Sequence, residues 1–233
     1  DKNPQIIMWD PETYPDVKTI ADLAKTGATI QVFGGGVFIS VFISEGIVSE
    51  DQVDQSYDGS PARFIAEGGA IAQQGFASAE PYLYLNTFTD WGKPVAFQLI
   101  NDAGLEIYSQ PLAIRSADLE ELTPCLEQLV PIVQQATVDY YASPDRANAI
   151  MVDAVAQYDS FWLYDMALAT DSAKVQVELG LAGNGNDDIA GNMDQARVQG
   201  VIDKIIAAGM DVDPEMKAED ITTNQFIDES IGY

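Results

Sequence analysis

Between Gly27 and Leu85 the chain switches from strand-like to helix-like sequence three times in succession, and this limits what it can fold into. Residues 28–33 are a short, apolar, β-rich run that reads as a buried strand. Gly34, Gly35 and Gly36 interrupt it, and residues 37–44 resume as an apolar stretch long enough for the first turns of a buried helix. A strand that breaks at glycines and restarts as a helix leaves free backbone N–H groups at the strand's carboxyl end. The switch recurs as a short polar strand near 55–57, a Gly59-Ser60-Pro61 turn and a helix to Glu67, with Pro61 suited to the first helical position. It recurs again at 75–79, where Glu80-Pro81 opens a helix. Three such switches predict α/β units on a mostly parallel sheet, in which ligands sit at the carboxyl ends of the strands.

The flanking sequence predicts two extended crossing passages and one further, helix-rich body of structure. QIIMW, residues 5–9, is a short apolar strand ended by Asp10-Pro11, and Thr19 and Asp22 have capping-box spacing at the start of a short helix. A return strand is expected at 95–100. IYSQPLAIR, residues 107–115, reads as extended, with Pro111 marking an edge or crossing strand. From Ser116 the pattern turns helical. A long amphipathic helix covers 124–141, with Pro131 kinking or dividing it, and helices follow at 145–158, 161–169, 172–181 and 193–208. Asn224 caps a last short helix within 220–227. The expected organisation is an α/β lobe over 11–105, with 1–10 and 106–233 supplying crossing strands and a helix-rich remainder. Strands that carry a chain between two bodies are natural hinges.

Charge and composition exclude several functions. The 233 residues include 37 Asp and Glu against 11 Lys and Arg, a net charge of −26. Nucleic acid and anionic membrane surfaces demand clustered Lys and Arg, so neither is an expected partner; the acid excess reads as a solvated surface. There is no histidine and one cysteine, Cys125, so the commonest general base, the commonest metal ligand and any internal disulfide are missing. Cys125 lies in an apolar helical pattern, LTPCLEQLVPIV, and is expected in the core. No catalytic residue, metal ligand or cofactor is expected, and no apolar run reaches membrane-spanning length.

The order of these segments resembles a known family. A crossing strand, a TIADL helix, a glycine-rich turn, a Ser-Pro helix start, FASAEPY, a return strand, a PCLEQLVPIVQQA helix and TTNQFID follow one another. Together they resemble the solute-binding components of ABC importers in the nitrate/sulfonate/taurine and thiamine-pyrimidine-precursor class, of the periplasmic binding protein type II fold. The resemblance covers residues 5–227 and rests on order, since no single motif is specific. It implies an α/β, two-lobed clamshell that acts as a monomer, is not an enzyme, closes around a small solute and hands it to a membrane permease. It also implies a periplasmic or extracellular location, and a further N-terminal β-α-β-α portion before Gln5 that can carry a lipid anchor. Two alternatives share the fold: pyrimidine-precursor-synthesising enzymes, whose histidine and cysteine chemistry has no visible residues here, and ligand-sensing domains of regulators.

Each candidate site residue has a structural alternative. Gly34, Gly35 and Gly36 with Val37 form either a backbone nest for a ligand oxygen or a tight turn for strand–helix packing. Ser60, with Asp58, is a hydroxyl donor, a plain helix cap, or both. In relatives the third strand end faces the ligand, so Glu80 is expected to accept N–H groups and Tyr82 to stack on a ring, whereas Tyr84 is expected to be buried. Trp9 and Asp10 either line the cleft floor or serve hinge packing and turn formation, and Gln110 on the return strand has a similar but weaker case. Phe161, Trp162 and Tyr164 read as core aromatics. A carboxylate among Trp9, Phe38, Tyr57 and Tyr82 suits a neutral or cationic, nitrogen-bearing, planar solute better than a bare anion.

Overall fold

The first strand, β1 (Gln5–Trp9), is buried from Ile6 to Trp9, because it lies inside a sheet with a neighbour on each side. The computed structural model describes residues 1–158 and 163–233. Two compact units divide the chain: a sheet unit of Asn3–Ile107 with Gly200–Met216, and a helical unit of Asp1–Lys2, Tyr108–Gln199 and Lys217–Tyr233.

The sheet unit is an open, mixed, five-stranded α/β structure. After β1 come α1 (Ile20–Lys25), β2 (Ile30–Gln31), α2 (Val37–Ser44), β3 (Val53–Asp54), α3 (Ala62–Ala66), β4 (Ala72–Phe76), α4 (Glu80–Asn86) and β5 (Ala96–Leu99). The strand order is β3-β2-β4-β1-β5. β2 runs parallel to β3 and β4, and β1 runs antiparallel to β4 and β5. All three expected strand-to-helix switches are therefore present, on parallel strands. The second strand falls at Val53–Asp54 rather than 55–57. Ile30 pairs with Val53, and the Asp54 carboxylate accepts the Ser56 N–H, which turns the chain away.

Local chemistry explains the helix starts. The Thr19 hydroxyl accepts the Asp22 N–H and caps α1. α2, VFISVFIS, is rich in β-branched residues and holds its helix through burial of Phe38, Ile39, Val41 and Phe42. These pack with Ile7, Trp9, Leu23, Ile30, Val32 and Ala72 to form the main core on one sheet face. Val201, Ile205 and Ala208 add to that core, and Lys204 pairs with Glu45. Phe64, Tyr84 and Trp91 form a second aromatic cluster, edge to face. From β2 the chain moves outward to β3, then returns past β2 to β4. In open α/β sheets such a reversal is where ligands bind, outside the carboxyl ends of the strands, here those of β2 and β4.

The helical unit holds α5 (Leu119–Ala142), α6 (Asp145–Tyr158), α7 (Met166–Glu178), the start of α8 (Gln195–Ala207) up to Gln199, and α9 (Ala218–Ile221); the rest of α8 belongs to the sheet unit. α5 begins at Leu119, ahead of the expected start at 124, and continues through Pro131 undivided. α7 replaces two expected helices, since nothing between Ala169 and Ser172 interrupts it; Phe161 and Trp162 lie outside the described residues. Two expectations are corrected. Cys125 is exposed, because the buried line of α5 passes through Leu126 and Gln134 instead. Residues 107–115 pair with no strand, so the return crossing is irregular chain. Gln134 ties the C-terminal segment down: its amide donates to the Ala190 and Asp228 carbonyls and its oxygen accepts the Asp228 N–H.

Candidate functional site

The candidate site is formed by the loops that follow the three parallel strands. After β2, Gly35 takes φ of 77°, a left-handed conformation that favours glycine, and Gly36 leads into α2 at Val37. The Gly35 N–H donates to the Gln55 side-chain oxygen at 3.2 Å. The chain's own amide oxygen thus sits where the sequence predicts a ligand oxygen. Phe33 is held by its N–H, which donates to the Gln74 side-chain oxygen at 2.9 Å, and its ring lies 4.5 Å from that of Tyr57. Gly59 brings the loop after β3 against the same ring. There Ser60 donates its N–H to Asp58, and its hydroxyl accepts the Ala62 N–H at 3.2 Å, so Ser60 acts as a turn and cap.

After β4, Glu80 folds back over the strand. Its carboxylate accepts the Phe76 N–H at 2.7 Å, and its methylenes lie where a Cβ on Gly75 would fall, 2.9 Å from Cγ. Burial raises the Glu80 pKa above the ordinary carboxylate value, against the opposing hydrogen bonds from the Phe76 and Glu80 backbone. Burial also raises the Tyr57 and Tyr84 hydroxyls, and the negative charge of Glu80 adds to both shifts. Glu80, Tyr57 and Tyr84 therefore share one electrostatic neighbourhood. Tyr82 is half-buried on α4, and Tyr84 is buried, as expected.

Sequence reasoning missed three glutamines: Gln31, Gln73 and Gln74 are all buried. The Gln73 amide donates to the hydroxyls of Tyr57, at 3.2 Å, and Tyr84, at 3.0 Å. Glutamine is usually exposed, so nothing in the local pattern marks these. Their one signal is position: Gln31 ends β2, and Gln73 and Gln74 lie within β4 beside it.

Within the sheet unit, Trp9 and Asp10 stand apart from this group. β1 is antiparallel, with Gln5 opposite Phe76 and Met8 opposite Gln73, so its end lies toward the amino ends of the parallel strands. Trp9 there belongs to the core. Asp10 is 1% exposed and accepts from the Glu12 N–H, the Thr13 hydroxyl and Lys93. Gln110 is exposed and belongs to the helical unit. Among the described residues no cluster of His, Cys, Asp or Glu is arranged to hold a metal, and no helix is long and apolar enough to cross a membrane. No known family model matches the chain, and no curated protein matches it.

Proposed function

We propose that this chain is the solute-binding component of an ABC importer, a non-enzymatic two-lobed clamshell that works outside the cytoplasm and delivers its solute to a membrane permease. The observation that carries this reading is the reversal of strand order at β2 and β4, with the loops that follow the parallel strands brought together there. The chemistry there favours a nitrogen-bearing organic solute over an inorganic anion. Glu80 presents a partly desolvated carboxylate, and aromatic rings stand close by at Phe33 and Tyr57. Arg63 is occupied by Asp54, Glu67 and the Ser56 hydroxyl, so its charge is already matched. The test is native mass spectrometry of the purified protein, followed by calorimetry with what is released. One small molecule per chain, released unchanged, is the expected result. Turnover that survives repurification and is lost on mutating one residue of the candidate site would replace this reading with an enzyme.

A further inference from the structure

We infer that the side-chain oxygens of Gln31 and Gln73 receive an N–H-bearing group of the bound solute, an amine or amidine-like nitrogen. This rests on the reading of the sheet unit as solute-binding. Gln31 and Gln73 are register partners on adjacent parallel strands, so their side chains stand side by side on one sheet face. The same row runs from Asp54, which is paired with Arg63, through Gln31 and Gln73 to Met8 and Phe97; the last two are apolar, so the packing on that side of Gln73 does not itself require a glutamine. Gln31 is 4% exposed and Gln73 0%, and the side-chain oxygen of each is buried with no hydrogen-bond partner. The Gln73 nitrogen donates to two tyrosine hydroxyls, and the Gln31 nitrogen lies 3.5 Å from the Ser56 hydroxyl.

A buried carbonyl oxygen left unpaired is costly, and two adjacent ones are seldom retained without a donor. The carboxylate of Glu80, which folds over Gly75 on the same face of β4 as Gln73, adds a third acceptor to this face. The set is rich in acceptors, so its complement is a group with at least two hydrogens to donate. Ser56, beside Gln31, is exposed and marks the side from which such a group reaches the pair. A buried water is the other source of donor hydrogens, and the test separates the two.

The probes are 4-aminopyridine and pyridine, which share a ring and differ in the amino group, titrated calorimetrically into the full chain. Preference for 4-aminopyridine of about tenfold or more is expected, reduced to near parity in Gln73→Leu and in Gln31→Met. Two variants are used so that misfolding of one, seen by circular dichroism, leaves the other decisive. A crystal structure with 4-aminopyridine should place its amino nitrogen within hydrogen-bond distance of both oxygens. A water found there with the probe bound elsewhere, equal binding of both probes, unchanged preference in the folded variants, or no binding of either probe would each overturn the inference. A co-purified solute without N–H donors would do so too, while leaving the solute-binding reading intact. Absence of any small-molecule binding would fail that reading itself.

Discussion

Two carboxylates in the sheet unit are predicted to respond to pH in opposite directions. Burial alone would raise Asp10, but hydrogen bonds from Thr13, the Glu12 N–H and Lys93 hold it below the ordinary value. Its contribution is therefore present at neutral pH and lost as pH falls through the depressed value. Asp10→Asn should cost about 2 kcal/mol at pH 7 by urea denaturation, shrinking below about pH 4. Glu80 is the reverse: its raised pKa stabilises the fold at low pH, and that contribution is lost as pH rises from about 4.3 through the folded value. Glu80→Gln keeps an acceptor for the Phe76 N–H without the desolvated charge. At pH 7 it should be at least as stable as the parent, with the gap closing near pH 4, while binding of a nitrogenous solute falls. A clear loss of stability at pH 7 would refute the assignment. Gly75→Ala should displace Glu80, since the added methyl would meet its side chain, and should weaken solute binding with only a modest shift in the denaturation midpoint. Retained binding would show that Glu80 does not act from this position. Glu80 was legible because an acid before proline at a helix start is a local signal. Gln55, Gln73 and Gln31 were not, because their roles depend on register between strands distant in sequence.

At the scale of elements, the sequence identifies best what is decided locally. Capping at Thr19, the switch into α2 and the span of α6 follow from residues a few positions apart. The exact strands do not, because β2 and β3 are set by pairing with each other and β2 also pairs with β4. Cys125 was misplaced for a related reason. Helical periodicity fixes which residues share a stripe, but which stripe is covered depends on the neighbours of α5. The end of α3 offers a test of such a tertiary constraint. Gly69 has φ of 77°, and a Cβ there would lie 2.6 Å from Asp10 Cβ and 2.8 Å from Trp91. Gly27 has φ of 76° and nothing within 4 Å. Gly27→Ala should cost only the left-handed backbone term, about 1 kcal/mol. Gly69→Ala adds overpacking and should cost roughly 3 kcal/mol. Equal urea midpoints for the two variants would contradict the packing of Asp10 and Trp91 against this turn.

For the whole molecule, charge is the property that no local packing can balance. With 37 acids and 11 bases, 26 acids have no basic counterpart however the pairs are drawn. The ion pairs present do not change this, since Arg63 and Lys93 each already bridge two acids. Self-repulsion of this size disfavours the compact state, and it is long-ranged enough to be screened by salt. Salt also weakens the ion pairs, but exposed pairs contribute at most about 1 kcal/mol each, so relief of repulsion should dominate. The thermal midpoint should therefore rise between about 0.02 and 0.5 M sodium chloride, by on the order of 5 °C for a chain of this size. Sodium chloride suits the measurement, because sulfate would strengthen apolar burial as well. Most of the rise should come below about 0.15 M, where the screening length is still falling toward 8 Å. A midpoint that stays flat or falls would mean that the ion pairs outweigh the acid excess.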